Sequence, residues 1–302
     1  MKQMSRRARR EFWVAMLFIS PWVVGFTLFE FGPLIASLGI SLFQWDLIQA
    51  PSWIGLDNYL ELFSDDPLFW QSLKVTSVYS LFSVPVGLLF ALLLALLLNQ
   101  PLPGIAFFRT VFYLPAVVSG VAVAMLWIWV FNGEFGIVNY LLGIVGIEGP
   151  NWFFDKSWVM PAFILMSLWG IGGSMIIFLA GLQGVPQELY DAAEVDGAGR
   201  LRQFQHVTWP LLTPVIFFNL IIGIIASFQT FTNSYVITEG GPANATLFYV
   251  LYLYNNGFKF FRMGKAATMA WILFVIILAL TIMVLRSSRI WVFYETELRE
   301  EA

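Results

Sequence analysis

Long apolar runs separated by short polar and charged segments set the organisation of this chain. Six of them, at 12–36, 73–98, 107–131, 158–182, 211–235 and 266–285, are long enough to cross a hydrocarbon core, which takes about 20 helical residues. Each is too long for a barrel strand, and an open sheet edge cannot satisfy its backbone in lipid, so the spans are predicted to be helices. The expected fold class is therefore an all-α membrane protein, one transmembrane domain of six helices over 1–302. The first run is too long for a removable signal peptide, and no small-residue cleavage site follows it. Glu30, eighteen residues into that run, reads as an interfacial carboxylate beside a break at Gly32-Pro33.

Composition agrees with the pattern. Apolar residues make up 59% of the chain and charged ones only 12%, with a mean hydropathy of +0.77. A soluble domain carries about 25% charged residues, so this chain cannot make a fully wetted surface. The few charges set its orientation. Lys2, Arg6, Arg7, Arg9, Arg10, Arg109, Arg200, Arg202, Arg286, Arg289 and Arg299 fall on one side. Lys74, Lys156, Lys259, Arg262 and Lys265 fall on the other, a split of eleven to five. The positive-inside rule then predicts a plasma (inner) membrane protein with both termini and the 183–210 loop in the cytoplasm. The basic amino terminus reads as an orientation signal rather than a nucleic-acid patch. With no cysteine, disulfides and thiolate metal sites are excluded.

The connections on the predicted outer side are longer than turns. Segment 44–70 mixes turn and cap formers (Pro51, Gly55, Asp57, Asn58, Asp65, Asp66, Pro67) with Trp45, Trp53, Phe63 and Trp70, which suit a headgroup-level belt. Segments 132–156 and 238–265 are similar, and all three are candidates for an outer rim.

The 183–210 loop is the most informative. Pro186 suits a first helical turn, and Glu188, Asp191 and Glu194 recur every three residues along one side of a short helix. Gly197 and Gly199 are both expected to take positive φ and end that helix. A second segment should start near Leu201, and Pro210 should stop it running smoothly into the fifth span. Tyr190, Ala193 and Leu189 are available to pack. A folded, water-facing module between two spans has no packing reason to exist, so something on the aqueous side is expected to grip it.

This loop resembles the EAA loop of inner-membrane permeases in ATP-binding-cassette importers, E-A-A-x-x-x-G followed after nine residues by I-x-L-P. Asp191, Ala192, Ala193, Gly197, Val207 and Pro210 stand at that spacing, with Asp191 in place of the glutamate and Trp209 in place of the leucine. Phe107-Phe108-Arg109-Thr110 with Phe112-Tyr113-Leu114-Pro115, and Thr238-Glu239-Gly240-Gly241-Pro242 with Thr246, resemble the sugar-type branch (maltose and glycerol-phosphate permeases). The resemblance implies the type I importer (MetI-like) permease fold and a passive pore half worked by a separate ATPase. It implies as partners two ATP-binding-cassette subunits, an extracytoplasmic solute-binding protein and a second permease, usually a related but different chain. It makes Glu188, Asp191, Ala192, Ala193, Asp196, Gly197 and Pro210 the expected ATPase-coupling residues.

What is missing bears on the same reading. No G-x-x-x-x-G-K-[ST] occurs, so any ATP and Mg are expected on a partner, and no cofactor is expected here. No catalytic constellation can be built around His206, the single histidine, and no metal site is expected. On the fifth span Asn219, Gly223, Ala226, Ser227, Thr230 and Ser234 project within about 100° of one another, opposite Phe217, Ile221, Ile224, Ile225 and Phe228. Ser167, Gly170, Ser174 and Gly181 repeat the pattern on the fourth. Such faces serve close helix packing or a wetted path, and both readings stand. The candidate path residues are Ser167, Gly170, Ser174, Asn219, Gly223, Ser227 and Thr230. An uncharged stripe suits a neutral, hydroxyl-rich solute, with Trp127, Trp129 and Trp169 available to stack on sugar faces. The rival readings are an ion-coupled secondary transporter, which usually shows repeats and intramembrane ionisable groups, and a membrane-embedded enzyme.

Overall fold

A computed structural model describes residues 6–293, so Lys2 and Arg299 of the charge count lie outside the described residues. Four helices are long and apolar enough to cross a membrane, and two bent helix pairs bring the total to six if each pair is one span. In chain order these and the shorter elements are α1 (Arg6–Ile40), β1 (Phe43–Gln44), β2 (Ser52–Trp53), α2 (Asp57–Ser64) and α3 (Pro67–Leu98). Then come α4 (Ile105–Val117) and α5 (Gly120–Val130), α6 (Ile137–Ile144), α7 (Val159–Gly170) and α8 (Gly172–Gln183). The remainder is α9 (Gln187–Val195), α10 (Arg200–Gln203), α11 (Trp209–Phe228), α12 (Thr232–Ile237), α13 (Tyr249–Tyr254) and α14 (Met263–Trp291).

Several expectations need correction. The break at Gly32-Pro33 does not occur. A π-helical turn, Thr27–Phe31, carries α1 through, with the Gly32 N–H bonded to the Thr27 carbonyl and Pro33 in the first turn of the next α segment. The wider turn removes the clash that a proline makes inside a regular helix. Pro210 is bypassed in the same way: a π turn at Phe204–Thr208 joins α10 directly to α11. Conversely, the third and fourth spans are not continuous. Pro115 starts a tight turn, Val118 turns extended, and α4 meets α5 at 100°. A similar turn at Leu168–Gly170 puts 49° between α7 and α8. The fifth span also breaks, at residues 229–231, before α12.

The chain divides into two compact units, 1–65 with 253–272, and 66–252 with 273–302. In the first, β1 and β2 pair antiparallel with Phe43 opposite Trp53. Asn58 is buried and donates to the Ser41 and Phe43 carbonyls at 2.9 and 3.0 Å. Lys265 Nζ pairs with Glu61 at 2.8 Å, Thr268 donates to the Ser41 carbonyl and Trp271 Nε1 to Ser37 Oγ. In the second, Ala91, Leu92, Ala95 and Leu98 of α3 form one buried cluster with Met175, Phe178, Leu179 and Leu182 of α8 and Leu212 of α11. The alanines let backbones approach closely, which is how helices gain contact in lipid, where burial alone gives little. Asp66 caps α3 by accepting from the Leu68 and Phe69 N–H groups and receives the Tyr252 hydroxyl at 2.6 Å. Arg109, so far only an orientation signal, closes the other end of α3 by donating twice to the Leu98 carbonyl.

Candidate functional site: a polar cavity and an exposed helix

The breaks and the polar faces meet around one cavity of about 440 Å³ in the second unit. Its walls are α3, the elbow between α4 and α5, the elbow between α7 and α8, and α11 with the segment after it. All seven path candidates (Ser167, Gly170, Ser174, Asn219, Gly223, Ser227 and Thr230) line it, as do Tyr79, Ser83, Trp169 and Asn233, and none of its lining residues is charged. The broken helices fit this position, because irregular backbone inside a membrane is tolerated only where it lines a cavity or is buried in protein.

The lining residues divide between packing and open polar surface. Ser227 Oγ lies 2.7 Å from Ser80 Oγ and 2.8 Å from the Ile224 carbonyl, joining α11 to α3. Gly223 gives α3 room, since a Cβ there would stand 3.1 Å from Val84 Cγ1. Asn219 donates one N–H to the Val215 carbonyl. Gly181 takes no part in the cavity wall and serves packing, where a Cβ would meet Val215 at 2.7 Å. Ser234, placed on the stripe by helical projection, is turned off it by the break at 229–231; it is buried and donates to the Thr246 carbonyl. Trp169 lines the cavity at 45% exposure, whereas Trp127 packs edge-on against it and stacks on Phe131. Trp129 lines a separate hollow with Gly133 and Tyr140. Phe228, projected on the side opposite the stripe, is buried.

Tyr79 was missed by the sequence reading. It lines the cavity together with Ser83, Ser167 and Thr230, which come from three of its walls. The signal was the row Ser72, Thr76, Ser80 at intervals of four on the second span, with Tyr79 and Ser83 beside it.

The second candidate site is α9 and its exit. Glu188, Asp191 and Glu194 are exposed, and α9 buries no residue. Pro186 stands just before the helix, at its N-cap, rather than inside the first turn. Gly197, at φ 74°, ends it with two bonds, Ala198 N–H to the Ala193 carbonyl and Gly197 N–H to the Glu194 carbonyl, both 2.9 Å. This is the Schellman arrangement, which asks for glycine at the left-handed position. Gly199 does not share that role: its φ is −69° and it opens α10. Tyr190 OH lies 2.9 Å from Thr208 Oγ1, so α9 is pinned to the π turn at the base of α11. Ala192 and Ala193 complete the last turns of α9, Asp196 follows them as its C-cap, and Leu189, expected to pack, is 43% exposed. His206 bonds the Arg202 carbonyl one turn back. Asp46, in the loop between β1 and β2, is held below the usual carboxylate range by the N–H groups of Gln49 and Ile48, as a turn cap would be.

Residues 81–290 match the family described as the binding-protein-dependent transport system inner membrane component. The chain belongs to that family. The permease is 46% identical over 297 residues to the probable ABC transporter permease protein YesP of Bacillus subtilis, covering 97% of this chain and 96% of that one. It is 35% identical to the lactose transport system permease protein LacF of Rhizobium radiobacter, covering 90% and 93%. It is 34% identical to the arabinooligosaccharides transport system permease protein AraP of Bacillus subtilis, covering 90% and 87%. Among solved structures, it superposes on a chain of a bacterial alginate ABC transporter in complex with alginate pentasaccharide-bound periplasmic protein. That match has a TM-score of 0.81 at 24% identity, covering 93% of this permease and 95% of that chain. The fold is thus the MetI-like fold of importer permeases, and the protein is a multi-pass inner-membrane subunit; in this family ATP hydrolysis belongs to a separate subunit.

Proposed function

We propose that this permease forms one half of the pathway of an ATP-driven importer for a carbohydrate or similar polyol, with the cavity of the second unit as part of the route. The observation that carries the reading is the cavity itself, uncharged and lined by hydroxyl and amide groups beside an exposed Trp169. Such groups can satisfy sugar hydroxyls, and leaving a buried polar group unpaired costs about 1–3 kcal/mol. Relatives that are permeases of lactose and arabinooligosaccharides transport systems support the solute class. In this reading an extracytoplasmic solute-binding protein delivers the solute and a second permease chain completes the path. Two ATPase subunits, which carry the ATP and Mg, grip α9 through Glu188, Asp191 and the turn at Gly197. Both termini and α9 face the cytoplasm, and the pair alternates between inward- and outward-open forms.

The test is uptake of a panel of labelled oligosaccharides into vesicles holding the purified complex, with ATP inside. ATP-dependent accumulation that is lost without the binding protein is the expected result. Accumulation driven by an ion gradient with no ATPase subunit present would replace this reading with the secondary-transporter one.

A further inference from the structure

We propose that α6 is an interfacial anchor, a short helix whose outward face is seated in the lipid surface beside the end of α5.

The sequence of α6 is I-V-N-Y-L-L-G-I. At about 100° per residue, Ile137, Tyr140, Leu141 and Ile144 fall within about 100° of one another, and Asn139 falls on the opposite side. A helix on the surface of a soluble domain turns such a stripe inward and its polar residues outward. Here the arrangement is reversed. The four stripe residues are between 45% and 69% exposed, and α6 buries no residue. The polar residue is the one turned to the protein. Asn139 donates to the Gly133 and Pro150 carbonyls at 2.8 and 3.1 Å and receives the Trp152 indole N–H at 2.7 Å. Rolling the helix over to hide its apolar stripe would break all three bonds.

Contacts with α5 set the level of this face. Gly136, the N-cap of α6, donates its N–H to the Asn132 carbonyl at 3.1 Å. A Cβ on Gly136 would stand 2.7 Å from the carbonyl of Val130, the last residue of α5. Trp129, one residue earlier, shares a hollow with Ile137 and Tyr140. With each bent pair as one span, α5 ends and α7 begins on the same membrane face, so α6 starts where the chain leaves the hydrocarbon. Amphipathic helices at that level bury their apolar face about 5–10 Å into the boundary between headgroups and acyl chains. Tyrosine and tryptophan gather there, and Tyr140 and Trp129 are both exposed.

Lipid fits this face better than protein does. The stripe carries no charge and one hydroxyl, that of Tyr140, so a partner that comes and goes would leave it wetted between visits. One face of an eight-residue helix also offers far less than the about 800 Å² per partner of a stable protein interface. The bilayer covers it continuously. Trp152, bonded to Asn139, packs on Phe131; Phe131 stacks on Trp127, which meets Trp169 edge-on. The anchor thereby holds the outer end of a row of aromatic contacts that finishes in the cavity wall.

The experiment uses the full importer in lipid vesicles. The chain has no cysteine, so Leu141→Cys and Ile144→Cys place nitroxide labels on the exposed stripe, where they displace nothing in the chain. Leu142→Cys places one on the half-buried side. The other subunits are made free of reactive cysteine. Collisions with oxygen, which concentrates in lipid, are compared with collisions with a water-soluble nickel chelate. Several-fold more oxygen than nickel collisions at 141 and 144, with few of either at 142, is the expected result. More nickel than oxygen collisions at 141 and 144 would put the stripe in water and overturn the proposal. Few collisions of either kind there would mean that protein covers the stripe, and would overturn it equally.

Discussion

Gly197 and Gly223 are both glycines at informative positions, for different reasons. Nothing lies within 4 Å of a Cβ at Gly197, so its requirement is the backbone angle alone. Left-handed geometry costs a residue with a Cβ about 1–2 kcal/mol. Gly197→Ala should therefore loosen the end of α9 by about that much and Gly197→Val by more, with insertion unchanged. Solute-stimulated ATPase activity of the reconstituted complex checks it, and normal stimulation with Gly197→Val contradicts the coupling role. In the cavity, Ser227→Leu should stop uptake by filling polar space, while Ile225→Leu should be nearly silent. Ser227 also bonds Ser80, so complex yield must be measured beside uptake. Low yield with normal uptake per complex would assign Ser227 to packing alone. The Gly197 turn was legible from its spacing to the following proline. Tyr79 was not, because a tyrosine in an apolar run reads equally well as a lipid-facing anchor.

At the scale of elements, the six apolar runs fall on four long helices and two bent helix pairs. They did not give the elbows. Hydropathy is the same whether a helix continues through a proline or bends at it. Pro33 and Pro210 are absorbed by π turns, whereas Pro115 begins a bend of 100°. The projected stripe failed at Ser234 for the same reason, since an ideal helix was extended across residues 229–231. The exposed helix α9 yields a prediction of its own. Tyr190 is the polar tie between α9 and the π turn, and removing one such bond costs about 0.5–1.5 kcal/mol. Tyr190→Phe should leave assembly intact and weaken the dependence of ATPase rate on solute. Asp191→Lys, which reverses an exposed charge on α9, should reduce binding of the ATPase itself. Pull-down of the ATPase and its stimulated rate separate the two effects, and unchanged values for both would remove α9 from the coupling route.

For the molecule as a whole, orientation is the property on which the assignment of faces depends. It came from eleven basic residues against five. If that orientation holds, a cysteine at Gln49, in an exposed turn, should react with an impermeant thiol reagent in intact cells. Cysteines at Val195 and Ile290, each 89% exposed, should react only after the cells are opened. Asn58, a natural choice from sequence, is a poor reporter because it is buried. Ser5 and Thr296, at the two ends, lie outside the described residues. Labelling of Val195 from outside would reverse the topology and remove α9 from the ATPase side.

Gly172 joins the two elbows. A single methyl there would come within 2.4 Å of the Phe112 carbonyl and 2.8 Å of Tyr113 Cα, so the third and fourth spans meet with no clearance at the points where each is bent. Two bent rods seated elbow to elbow behave as one joint. Neither can straighten without displacing the other, and the cavity wall they share has a single hinge instead of two independent gates. Gly172→Ala drives a wedge into that joint, and its signature should be slowed turnover at unchanged solute affinity, with the complex still assembled.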